Sequence, residues 1–179
     1  HRIYNKIMDN KELDIASEKE KLKIELLEWF NTLNNHLKKI PKELNEQLEL
    51  LSKIKINNYE DMNQIQHKAA IISVAEKFQI EFPEINKWTW HPKQTSNKNE
   101  GDLTGYVNDK IVLNAEVTTS LKPIGTIDKR IYNTLKGLSK KEGEKYFIVQ
   151  SDEMLNRANT KINKNKWDIK TKKFEKGCP

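Results

Sequence analysis

The chain opens with two apolar repeats of helical period. Residues 17–20 fit a capping box, and the apolar positions that follow predict a helix over residues 17–40. Pro41 ends that helix and can begin the next one at its first position. The two stripes are Leu22, Leu26, Phe30, Leu33, Leu37 and Ile40, and then Leu44, Leu48, Leu51 and Ile54. The pair is expected to form a hairpin, favoured as core packing, with a dimerisation arm or a DNA-contacting arm as the alternatives.

A third helix is predicted over residues 59–79, with Asn58 as its N-cap. Its stripe runs through Met62, Ile65, Ala69, Ile72 and Glu76. A carboxylate at the last stripe position fits either the exposed end of a helix or a residue aimed at a metal site.

The pattern then changes to strands. Trp88 and Trp90 alternate around Thr89 and predict a strand, and residues 91–100 form a polar loop. Strands are predicted over 102–107, 111–118 and 145–150, with helices over 128–140 and after Ser151. The expected fold class is α/β (α+β), with a mixed central sheet and flanking helices. We expect a helical region over residues 1–56 and a core over 57–179.

The hairpin formed by the strands over 102–107 and 111–118 can be assigned a register. Burying both apolar faces requires Val107 opposite Ile111, residue 105 opposite 113, and 103 opposite 115. This register places Asp102 opposite Glu116, about 5 Å apart at Cβ. It also requires a three-residue loop or a bulge near Asn108-Asp109. Two such carboxylates repel each other unless a cation lies between them, so the pair is a candidate metal site; two exposed acids paired with lysines are the alternative.

Charge is unevenly distributed along the 179 residues, whose net charge is +6. Residues 1–90 hold 14 basic and 15 acidic side chains, whereas residues 91–179 hold 18 and 11. A basic C-terminal half faces polyanions more plausibly than a uniformly basic chain does, and a solvated lysine-rich surface is the alternative. One cysteine, Cys178, excludes an internal disulfide and a cysteine-based metal cluster, and a cytoplasmic compartment is the default expectation. No apolar run is long enough to span a membrane.

The order Glu100-Gly101-Asp102, hairpin, Ala115-Glu116-Val117-Thr118, helix, strand, helix resembles the PD-(D/E)XK nuclease core over about residues 57–165. This core is found in restriction endonucleases and in viral cap-snatching endonucleases. The resemblance implies that Asp102 and Glu116 bind Mg²⁺, with Mn²⁺ able to substitute. It also implies that the Val117 carbonyl is a further ligand and that Glu76 matches an extra acid of some members.

The chain departs from the family pattern at two positions. Gly101 replaces the usual proline, and Thr118 stands where the motif lysine belongs. Cap-snatching enzymes supply that lysine from the following helix, so Lys129 is the preferred candidate and Lys122 the second. Activation of water by metal alone, or an inactive core, would need neither lysine.

The expected function is a metal-dependent endonuclease acting on DNA, of restriction type. Lys122, Arg130, Lys136 and Lys140 would bind the phosphate backbone. Two alternatives stay open, an RNA-cutting domain of cap-snatching type and a degenerate nucleic-acid-binding module. A homodimer is one option for the oligomeric state. His67 is expected at the surface, and neither His36 nor His91 has a partner at metal-ligand spacing.

Overall fold

A computed structural model of the chain describes residues 11–91 and 100–174. The predicted loop residues 92–99 and Cys178 lie outside these ranges. The strands are β1 (Lys11–Glu12), β2 (Lys87–Trp90), β3 (Leu103–Val107), β4 (Lys110–Val117), β5 (Glu144–Val149) and β6 (Lys170–Lys173). The helices are α1 (Ile15–Leu37), α2 (Leu44–Glu81), α3 (Thr126–Leu138) and α4 (Asp152–Asn165).

The six strands form one sheet in sequence order. Strands β1 to β4 are antiparallel neighbours, whereas β5 runs parallel to β4 and β6 runs parallel to β5. Each parallel step is connected by a helix, as parallel neighbours require. The mixed α and β class is therefore confirmed, as are the three central strands and the helix that begins after Ser151.

Helices cover the sheet on both faces, which explains why β5 is apolar and buried from Tyr146 to Val149. The α2 face of the sheet contributes one buried cluster, which includes Ile71, Val74, Phe78, Trp88, Trp90, Leu103 and Ala115. Helices α3 and α4 contribute a second, which includes Ile131, Leu135, Phe147, Met154 and Ile162.

The β3–β4 hairpin has the predicted register at its open end. Leu103 pairs with Ala115 and Gly105 with Leu113. Beyond Gly105 the register shifts by a bulge, so Val107 pairs with Lys110 rather than with Ile111. The bulge lets a two-residue turn close the hairpin while the carboxylates keep their common face.

The helical region differs from expectation in three ways. Helix α1 begins at Ile15, because the Asp14 side chain accepts the Ser17 N–H as its N-cap. The second and third predicted helices are one helix, α2, of 38 residues. Asn58 does not cap a helix; it is buried in α2, and its side chain donates to the Ile54 carbonyl. The domain boundary predicted between residues 56 and 57 falls inside α2. Strand β1, which precedes α1 in the chain, pairs with β2 and so belongs to the sheet.

The favoured interpretation of the hairpin as core packing is wrong for its distal half. Helix α1 has no buried residue, and among the described side chains of α2 only Asn58 is buried before His67. Large apolar side chains are exposed instead, among them Leu27, Phe30, Leu37, Leu44, Leu48, Leu51, Ile56 and Tyr59. Within the described ranges, no helix has the length and apolar content needed to cross a bilayer.

Candidate active site

Asp102 and Glu116 lie side by side at the open end of the β3–β4 hairpin. Asp102 directly precedes β3, and Glu116 occupies the penultimate position of β4. Both line a cavity of about 330 Å³ between the sheet and α3. The other lining residues are Val117, Thr118, Ser120, Ile127, Arg130, Ile131, Asn133, Thr134 and Phe147. The alternation of β4 therefore places both acids on the same face, as the sequence predicted.

The Asp102 carboxylate is held on two sides. Its Oδ2 accepts the Val117 backbone N–H at 2.8 Å, which fixes it against β4. Its Oδ1 lies 3.5 Å from Nε2 of His67 on α2. The prediction that His67 is a surface residue is wrong: it is 5% exposed, and α2 presses it onto the sheet.

His67 carries an unsatisfied polar atom. Its buried Nε2 makes no hydrogen bond within the described residues, although Asp102 lies nearby. A buried nitrogen without a partner is costly, so it favours a polar atom or an ion beside it. His67 lies one helical turn before Ile71, on the same face as the buried residues of α2. The apolar sequence from Ala69 to Ala75 could have assigned it to the buried face.

Glu116 is paired with a lysine that sequence analysis did not place at the site. Lys141 follows α3, and its Nζ lies 3.3 Å from Oε1 of Glu116. The Lys141 side chain is 6% exposed, so its ammonium is well shielded from water. Burial and the charge of Asp102 raise the pKa of Glu116 to about 8, and Lys141 opposes this shift.

A buried asparagine connects the segments that carry Asp102 and Lys141. Asn114 on β4 accepts the Gly101 N–H at 2.8 Å through Oδ1, and its Nδ2 donates to the Glu142 carbonyl at 3.0 Å. Thr104 donates to the same Oδ1 at 2.9 Å. A proline at position 101 could not donate this hydrogen bond. A Cβ at position 101 would also lie 2.4 Å from the Ala115 carbonyl oxygen, which accounts for glycine at this position.

Glu100 anchors the other side of Lys141. The Lys141 ammonium donates to the Glu100 backbone carbonyl. The Glu100 carboxylate is buried and accepts from Tyr106 at 2.8 Å and from Thr89 at 3.3 Å. Nε2 of His91, for which no partner was expected, lies 2.9 Å from Oε2 of Glu100.

Several predicted site residues lie elsewhere. Glu76 pairs with Lys19 at 2.7 Å, in a separate apolar cavity between α1 and α2, and is not beside Asp102. Lys129 and Lys122 are exposed and do not line the site cavity, because the inner side of α3 presents Ile127, Arg130 and Ile131. Lys136 and Lys140 are exposed on or just after α3. Val117 and Arg130 line the cavity, and their roles in metal and phosphate binding stay predictions.

The residues present fit a divalent cation in part. Across the described ranges, no three histidine, cysteine or carboxylate side chains form a ready-made cluster. Asp102, Glu116 and the unpartnered Nε2 of His67 nevertheless combine two hard oxygen ligands with one imidazole. This mixed set suits Mg²⁺ or Mn²⁺, with Mn²⁺ better matched to the nitrogen.

Comparison with protein-family models, with curated proteins and with solved structures finds no match for this chain.

Proposed function

We propose that this protein is a metal-dependent endonuclease that hydrolyses phosphodiester bonds, with DNA as its substrate. The observation that carries the proposal is the meeting of Asp102, Glu116, His67 and Lys141 at one end of a mixed sheet. Two acids, one buried imidazole and one buried ammonium are an expensive arrangement for a purely structural site. These residue types are the ones that the resemblance to the PD-(D/E)XK core implies, except that the lysine comes from Lys141 after α3 instead of from position 118.

Asp102 and Glu116 would hold Mg²⁺ or Mn²⁺, with the Val117 carbonyl and His67 as further ligands. A bound divalent cation supplies activation of water and neutralisation of the charge that develops on the phosphate. The Val117 N–H keeps Asp102 in place, so the acid needs little rearrangement when it binds the metal. Glu116 must lose its proton first, because burial raises its pKa.

Lys141 takes the role of the motif lysine in this proposal. Its ammonium is held by the Glu100 carbonyl and lies against Glu116, within reach of a water molecule beside both acids. From there it can orient the attacking water and stabilise the leaving oxygen. Lys129 has no such position, so we replace it with Lys141.

The positive charge near the site favours a nucleic acid as the substrate. Arg130 lines the site cavity, and the C-terminal half that contains it holds the excess of basic residues. Phosphate contacts of this kind bind a nucleic-acid backbone without reading its bases. An RNA-cutting enzyme of cap-snatching type is the second candidate, because here too the lysine beside the acids comes from outside the motif position.

Cleavage of supercoiled plasmid and of single-stranded RNA, side by side with Mg²⁺ or Mn²⁺, tests the proposal. We expect plasmid cleavage that Asp102→Ala abolishes. Lys141→Ala should lower turnover by about two orders of magnitude, the scale of losing one positioned catalytic group. Lys140→Ala is the matched control: its exposed side chain is adjacent in sequence and is a predicted phosphate contact, so its loss should raise KM and leave turnover unchanged.

The outcomes separate the candidates. Cleavage restricted to RNA would replace DNA as the substrate. Absence of cleavage on both substrates, together with no Mn²⁺ binding by calorimetry, would leave a non-catalytic module. Equal turnover by Lys140→Ala and Lys141→Ala would remove Lys141 from the mechanism while leaving the carboxylates in place.

A further inference from the structure

The α1–α2 hairpin projects an apolar surface that the described chain does not cover. The arm, defined as residues 15–61, consists of α1, the connecting turn and the first half of α2. The helices are antiparallel, as the contacts of Lys68 with Glu25 and of Trp29 with Asn58 show. The arm carries more large apolar side chains than the contact between its two helices can bury, and many of them are exposed.

Helix α2 carries two different stripes within the arm. The inner stripe consists of Leu50, Ile54 and Asn58, which are the less exposed positions and face α1. The outer stripe consists of Leu44, Leu48, Leu51 and Tyr59, each more than half exposed. At 100° per residue, the outer stripe spans about 80° of the helix and is centred about 100° from the inner one. It is therefore a regular apolar face rather than a scatter of exposed residues.

Helix α1 extends the same surface. Relative to Trp29, which contacts α2, Phe30 and Leu37 are rotated by about 100° and about 80° in the same rotational sense, and each is at least half exposed. In an antiparallel pair, equal rotations on the two helices point to the same side. Phe30, Leu37 and the outer stripe thus form one continuous apolar side of the arm.

We propose that this side of the arm binds the same side of a second copy of the chain, giving a twofold-symmetric dimer with a four-helix bundle at its centre. The 23 residues of α1 give the arm a length of about 35 Å, and two helices give a width of about 20 Å. Pairing two such sides would bury about 1,400 Å² in total, which is within the range of specific interfaces. The apolar side of each copy, about 700 Å², is larger than the apolar patches that are usual on monomers.

Charge favours a second copy over a nucleic acid. Residues 15–61 hold eight basic and nine acidic side chains, so the arm lacks the positive excess that binds a polyanion. Several of its charges are already paired within their own helix, as in Lys23 with Glu20 and Lys53 with Glu49. Two near-neutral arms approach without net repulsion, and a twofold axis makes one apolar side complementary to itself. The interface does not depend on the nuclease proposal.

Sedimentation equilibrium of the full chain between about 1 and 100 µM tests the dimer. The wild type should have a mass of about 42 kDa, twice that of the 21.1 kDa chain. Leu48→Glu/Leu51→Glu should sediment as a monomer, because each copy would bring two carboxylates into the apolar contact. Ile80→Glu is the matched control: Ile80 is 84% exposed on the same helix but lies outside the arm, so this variant should stay dimeric.

A wild type that is monomeric up to 100 µM overturns the proposal, as does a Leu48→Glu/Leu51→Glu variant that remains dimeric. If that variant does not fold, Leu51→Ser provides the milder test. It should keep the wild-type circular dichroism and raise the dimer dissociation constant at least tenfold, since one leucine is lost from each copy. An unchanged dissociation constant would place the interface elsewhere.

Discussion

Glu116 lies between two opposing influences, burial beside Asp102 and the ammonium of Lys141. Burial prevails, so the pKa of Glu116 rises to about 8. The folded protein therefore keeps a proton at neutral pH that the unfolded chain has already lost. If a cation binds at this site as proposed, it must displace this proton, so its affinity should rise with pH.

The free energy of unfolding of the metal-free protein should fall as pH rises from about 4.5 to 8. A raised carboxyl pKa means that the folded state binds more protons than the unfolded state in this window, so the slope is negative, at most about 1.4 kcal/mol per pH unit. Urea unfolding in EDTA at pH 5, 6.5 and 8 measures it. Glu116→Gln should remove this part of the slope; identical slopes for variant and wild type would contradict the raised pKa.

Asn114 should act on catalysis through Lys141. Asn114→Ala breaks the hydrogen bonds to Gly101 and Glu142 and should destabilise the fold by about 1–3 kcal/mol. If its role is positioning, Lys141→Ala should reduce turnover much less in the Asn114→Ala background than in the wild type. Thr104→Val is the control, because it loses a bond to Asn114 but keeps the connection to Glu142. Additive effects on turnover would make Asn114 merely structural.

The two acids could be predicted from sequence, whereas their buried partners could not. Strand alternation fixes which side chains share a face, so apolar residues alone located Asp102 and Glu116. Lys141 reaches Glu116 from a turn, and the length of a lysine stem leaves its endpoint undetermined by spacing. His67 was missed because the buried stripe of its helix was assigned two positions out of phase, nearly on the opposite side of the helix.

At the scale of elements, the hairpin turn combines two constraints. Asn108 and Asp109 both have positive φ, 50° and 60°, as a two-residue turn with the twist of a hairpin requires. The bulge after Gly105 then restores the apolar register. The sequence could predict that a bulge or longer loop was needed, but its apolar pattern does not distinguish the two.

Asp109→Gly should stabilise the protein by up to about 1 kcal/mol, because glycine adopts positive φ without the clash that a Cβ causes. Asp109→Ala should destabilise it by a similar amount, since alanine keeps the Cβ and loses the polar side chain. Thermal unfolding of both variants measures the difference. The exposed contact with Lys87, at 3.8 Å, contributes little to either change. Equal melting temperatures would contradict the strained turn.

Helix α2 shows where local signals mislead. Asparagine is common at N-caps, yet Asn58 lies in the middle of a helix. Its side chain donates to the Ile54 carbonyl, and its own carbonyl accepts from Trp29. Tertiary contact with α1 thus compensates for a residue that would favour a helix end in isolation. The sequence predicted every long helical segment here, but it could not reveal that two of them join.

At the scale of the whole molecule, the dimer and the active site make a joint prediction. If both proposals hold, two sites related by a twofold axis can cut the two antiparallel strands of a duplex in one encounter. The wild type should linearise supercoiled plasmid, whereas Leu48→Glu/Leu51→Glu should accumulate nicked circles. Ile80→Glu should behave as the wild type. Agarose electrophoresis of a time course separates these products, and direct linearisation by the monomeric variant would contradict the coupling.

The unbroken course of α2 has one more consequence. The outer stripe ends at Tyr59 and the buried imidazole is at His67, so eight residues, or about 12 Å, separate the arm from the site. The number of helical residues between them sets both the distance and the direction of the arm relative to the site. One inserted residue would swing the arm by about 100°, whereas seven would nearly restore its direction and lengthen this separation by about 10 Å. If both proposals hold, the number of residues between Tyr59 and His67 would set the distance between the cuts on the two strands of the duplex.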